Sequence, residues 1–167
     1  KGGPRGNGRV SWGKTYIVSM LDAKEQSFHI FDELLRNKVK GLCISNELPK
    51  RIFERYDTFV MKVLNNDPTI IMLNEDKMSN VKCIHPLDTD GLVIQIRDFA
   101  HNNPNSVVLL DGLAAILINN PKEAYKVGQF LLYLRKLMEE NDSILLIPIH
   151  PDLLRQSLFR EILPLLQ

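Results

Sequence analysis

The apolar positions of the chain follow two alternating rhythms. Short unbroken runs such as Val107-Val108-Leu109-Leu110 show no polar alternation and carry β-branched residues, the pattern of strands covered on both faces. Between them, apolar residues recur every three to four positions, as in Phe28, Phe31, Leu34 and Leu35, the pattern of helices with one buried side. The runs predict strands near 15–20, 41–45, 69–73, 106–110 and 143–149, and 81–84 fits either a short edge strand or a loop. A first helix is predicted from about Ala23 to Asn37, with Asp22 and Glu25 as a capping box. A second, long one starts at Pro49 and carries the stripe Ile52, Tyr56, Phe59 and Val63. A third starts near Pro86. Leu113 to Ile118 form a short helical turn, Asn120 and Pro121 open a long helix running past Met138, and a last helix follows His150-Pro151, ended or kinked at Pro164.

Strands alternating with helices predict an α/β fold: three layers, a mostly parallel five-stranded sheet with helices on both faces and right-handed crossovers. Open sheets of this kind bind ligands at the carboxyl ends of their strands. That edge gathers Ser19, Ser45, Asn46, Asn74, Glu75, Asp111 and His150 into one candidate crevice. Asp111 is its centre, following the most apolar strand. The competing reading has Asp111 cap the next helix, with Gly112 supplying a tight turn.

A chain of 167 residues, 44% hydrophobic and 25% charged, suits one globular domain. A net charge of +1 without a dense basic patch predicts no nucleic-acid partner. No apolar run reaches the roughly 20 residues of a membrane span, so no membrane contact by this domain is expected. Cys43 and Cys83 lack CxxC spacing and read as reduced thiols of a cytoplasmic protein. Residues 1–13 begin glycine-rich and basic without a starting Met, and are expected to be a flexible leader or linker of a longer protein, before a single domain at 14–167.

The leader contains a phosphate-loop pattern, GxxxxGK[ST], at Gly8 to Thr15. Such a loop works when a strand precedes it and a helix follows, so that backbone N–H groups converge on phosphate. Here no apolar run precedes Gly8, and Tyr16-Ile17-Val18 reads as a strand after it. The alternative reading has Gly8, Gly13, Lys14 and Thr15 cradle ATP while Asp111 holds magnesium. The four histidines, at 29, 85, 101 and 150, lack metal-ligand spacing, and no catalytic residue is assigned. Acid–base work by His150 with Asp111 competes with the simpler reading that His150 caps the last helix.

At Tyr16-Ile17-Val18, at Gly41-Leu42-Cys43-Ile44-Ser45 with Asn46-Glu47-Leu48-Pro49, at Val107 to Leu113, around Phe130 to Leu137, and at Leu146-Ile147-Pro148-Ile149-His150-Pro151, the chain resembles the archaeal family catalogued as domain of unknown function 835. The resemblance spans roughly 14–163. It departs from the family pattern at His150, where an acid is more usual, and at Ala114-Ala115, where an acid and an aromatic are. The resemblance implies a RecA- or KaiC-like fold without a functional P-loop, and a non-catalytic interaction or signal-relay role with a protein partner or self-association. The alternative is a RecA/KaiC-like ATPase using ATP and magnesium.

Overall fold

A computed structural model describes residues 10–47, 51, 54–55, 70–73, 82–120, 122, 124–155 and 157–166. Its strands are β1 (Thr15–Ser19), β2 (Gly41–Ser45), β3 (Ile70–Leu73), β4 (Lys82–Ile84), β5 (Val107–Leu110) and β6 (Ile144–Ile149). They form one six-stranded sheet in the order β1-β6-β5-β2-β3-β4, and every pairing is parallel. The five expected strands are joined by the segment left between edge strand and loop: Lys82–Ile84 pairs with β3 and forms the edge.

Side chains alternate across a strand, and the sheet sorts them accordingly. Cys43, Val107, Leu109, Ile144 and Leu146 pack on one face against α1 (Ala23–Arg36), through Phe28, Phe31, Leu34 and Leu35. Leu42, Ile44, Val108, Leu110, Leu145 and Ile147 face the other way. There they meet α2 (Thr89–Asn102), α3 (Leu113–Asn119), α4 (Ala124–Glu140) and α6 (Ser157–Leu166). Strands β2, β5 and β6 are therefore buried throughout, which is why their sequences read as unbroken apolar runs. Pro148 is accommodated inside the sheet because it lies beyond Leu146, the last β6 residue paired with β5.

Several local expectations are corrected. Asp22 does precede α1 but caps no backbone N–H; its carboxylate instead accepts from the Gln26 amide at 3.0 Å. The third predicted helix starts at Thr89, because His85 to Leu87 form a turn and the Asp88 side chain caps the Gly91 N–H at 2.8 Å. Asn120 ends α3, donating to the Ile116 carbonyl, while Pro121, expected as the first position of the next helix, lies outside the described residues. The last helix is split into α5 (Pro151–Leu154) and α6, and Pro164 lies inside α6. Val10 is buried and Trp12 packs beside it against the α1 face, so residues 10–13 of the expected leader join the packed body. The long aromatic helix expected after Pro49 falls mostly outside the described residues; Arg51, Glu54 and Arg55 are helical.

Candidate functional site

Asp111 follows β5 and continues its ladder by one bond, its N–H donating to the Ile44 carbonyl at 2.8 Å. This fixes the side chain over the junction of β5 and β2. There the Ser45 hydroxyl donates to Asp111 Oδ2 at 2.6 Å, and Ser45 Oγ accepts from the Glu47 N–H at 2.9 Å. Gly112 turns the chain into α3 with φ +124°, a conformation that side chains rarely adopt. The backbone therefore favours glycine, and a Cβ at Gly112, 2.8 Å from Leu73 Cδ1, would in addition make the end of that side chain shift.

The cation of the site comes from α1, which packs on the Cys43, Val107 and Leu109 face of the sheet. Lys24, in the first turn of α1, places Nζ 3.2 Å from Asp111 Oδ2 and 2.8 Å from Glu47 Oε2. Glu47 also meets Arg51 at 3.5 Å, while Arg55 meets Glu25 on α1 at 3.6 Å. Burial pulls the Lys24 ammonium down, but Asp111 and the Glu47 hydrogen bond outweigh it and leave the group above its ordinary range. The Lys24 hydrogen bond holds the Glu47 carboxyl below its usual range. Beneath the pair lies Cys43, fully buried; burial first, and the Asp111 charge second, push its thiol well up.

Lys24 and Asp111 of this network stand on the polar wall of a cavity of about 300 Å³ at the carboxyl edge of the sheet. Asn46 and His150 line it with Lys24 and Asp111, and Leu113, Pro148, Ile149 and Leu153 supply apolar walls. Met20 and Leu21 stand at its border, 43% and 84% exposed. Among the residues expected in one crevice, Asn46, Asp111 and His150 line the cavity and Ser45 supports it from below through Asp111. Ser19 ends β1 on the surface away from the lining, and Asn74 and Glu75 lie outside the described residues. His150 is half-exposed and caps α5, its Nδ1 accepting from the Asp152 N–H at 3.1 Å.

Lys24 and Glu47 are the functional-looking residues that the sequence pattern does not single out. A lysine in a helix's first turn opposes the helix dipole, and that is the one local signal pointing to Lys24. The phosphate-loop pattern is placed elsewhere. Thr15 opens β1 where a working loop would open a helix, and Lys14 is exposed, its carbonyl accepting from Leu145 at the amino edge of the sheet. Gly13 lies near Glu139 and Asp142 at that same edge, and Gly8 is outside the described residues. Of the residues in the alternative ATP reading, Lys14 and Thr15 thus lie at the end of the sheet opposite Asp111. Among the described residues there is no group of three or more potential metal ligands, and no helix is long and apolar enough to cross a membrane.

A wholly parallel sheet, helices on both faces and a cavity over its carboxyl edge define an open α/β domain. The family model described as "Protein of unknown function (DUF835)" matches residues 20–162, and the chain belongs to this family. No curated protein matches the chain.

Proposed function

We propose that this domain is a non-catalytic interaction or signal-relay module, descended in architecture from a RecA/KaiC-type ATPase whose nucleotide site has been closed from within. The supporting observation is the Lys24–Asp111 ion pair. In a P-loop ATPase the acid after the strand holds magnesium, and the lysine at the start of the first helix meets phosphate. Here the lysine neutralises the acid itself, at 3.2 Å. The connection between β1 and α1, Met20–Asp22, contains no glycine and carries an acid of its own, so it offers phosphate no cradle. Lys24 and Ser45 both hold Asp111 through Oδ2, so a magnesium ion there would have to share this carboxylate with an ammonium 3.2 Å away. A partner would find apolar side chains on the α3–α4 surface, where Ile118 and Tyr125 are 71% and 75% exposed.

The test is calorimetric and thermal-shift titration of the chain with magnesium-ATP, since a ligand of the native state raises its stability with concentration. No saturable heat and an unchanged melting temperature at millimolar nucleotide are expected. Saturable binding abolished by Asp111→Ala, in a variant still folded by circular dichroism, would overturn the reading.

A further inference from the structure

The ion pair leaves two hydrogen-bonding positions open toward the cavity. Both Ser45 and Lys24 use Oδ2 of Asp111, and Oδ1 accepts nothing from the described residues. This carboxylate is only 8% exposed, and that exposure is the cavity it lines. An ammonium has three N–H donors, of which Asp111 and Glu47 take two among the described residues, so Lys24 retains one. A buried acceptor and a donor thus stand side by side on one wall.

The local charge decides what they can receive. Two carboxylates, Asp111 and Glu47, are matched by two cations, Lys24 and Arg51, so the network carries no net charge that calls for a charged ligand, and an anion at Asp111 Oδ1 would meet a like charge directly. A cationic ligand would compete with an ammonium already held at 3.2 Å and 2.8 Å. A neutral group with an N–H beside a C=O satisfies both positions without displacing either ion. Opposite this wall, Leu113, Pro148, Ile149 and Leu153 offer contact to an apolar body. His150, whose Nδ1 is occupied by the Asp152 N–H, keeps its remaining ring proton on Nε2 as a further donor at the border. A volume of about 300 Å³ lies at the small end of ligand pockets.

We propose that this cavity binds a small uncharged molecule bearing a carboxamide or lactam edge, which donates to Asp111 Oδ1 and accepts from Lys24, with its apolar body against Leu113 and Ile149. This goes beyond the interaction role. It makes the domain a receptor for such a molecule.

The experiment is titration of the ¹⁵N-labelled chain with benzamide, followed by amide chemical shifts, with benzoate and benzylamine as isosteric charged probes. Saturable shifts centred on Lys24, Asn46 and Gly112 are expected with benzamide, and at least tenfold weaker binding with either charged probe. Ala114→Leu and Leu153→Phe each project bulk into the cavity from partly exposed positions, and the variant that retains the native spectrum should lose benzamide binding by tenfold or more. Absence of saturable shifts at the solubility limit of benzamide, equal binding of benzoate, or undiminished binding in a folded filled variant would each overturn the proposal. Any of these results leaves the interaction reading as the magnesium-ATP titration finds it.

Discussion

Lys24 is the residue on which the carboxyl edge of the sheet depends. Removing one partner of a buried ion pair leaves the other charge uncompensated, at a cost of about 3–5 kcal/mol. Lys24 is 38% exposed, so solvent screening reduces this, and Lys24→Met is expected to lower stability by about 1–2 kcal/mol in urea unfolding. The pair also predicts a pH profile. Glu47 titrates lower in the folded state than in the unfolded chain, so its contribution is complete above the ordinary value of about 4.3 and disappears as pH falls through the depressed one. Lys24 titrates higher when folded, so its contribution is complete below about 10.4 and is lost as pH rises through the elevated value. Urea midpoints should therefore decline in both limbs for the natural chain, and Lys24→Met should flatten the alkaline limb and weaken the acid one. None of this could be read from the residues singly. Lys24, Glu47 and Asp111 are brought together by strand order, and an apolar pattern predicts strands without predicting which of them are neighbours.

The elements were more legible than their ends. β5 and β6 announce themselves because an interior parallel strand must be apolar on both sides, and α1 because Phe28, Phe31, Leu34 and Leu35 face one sheet. Helix boundaries depend on single hydrogen bonds. The Asp22 carboxylate found Gln26 when a backbone N–H was equally near in sequence, and Asn120 turned back to Ile116. Asp88 is the one capping side chain whose bond can be tested cleanly. Asp88→Ala removes the bond to the Gly91 N–H and should destabilise the chain by about 1 kcal/mol, seen as a lower urea midpoint with unchanged slope. The turn from β5 into α3 is less forgiving. Gly112→Ala forces a side chain into a positive φ and makes the end of Leu73 shift, and about 1–3 kcal/mol is expected, with Gly41→Ala a separate overpacking control against Phe31 and Leu35.

At the scale of the whole molecule, the sheet divides the protein into two cores that share a single layer of strands. The class of fold was readable from alternation alone, whereas the extent of the packed body was not. Val10 and Trp12 stand in a polar, glycine-rich stretch whose composition hides their contact with the α1 core. Cys43 lies in the middle of this arrangement, without exposed surface, its thiol pushed up by burial and by Asp111. A thiolate is the reacting species in alkylation, so in the native state Cys43 is protected twice, by access and by protonation. The chain thus carries an internal clock. Labelling of Cys43 by a maleimide should proceed only through opening of the sheet, at a rate that falls with stability and rises in Lys24→Met, while partly accessible Cys83 labels earlier and independently. Mass spectrometry of the intact protein would then time the opening of its interior, with no dye and no added residue.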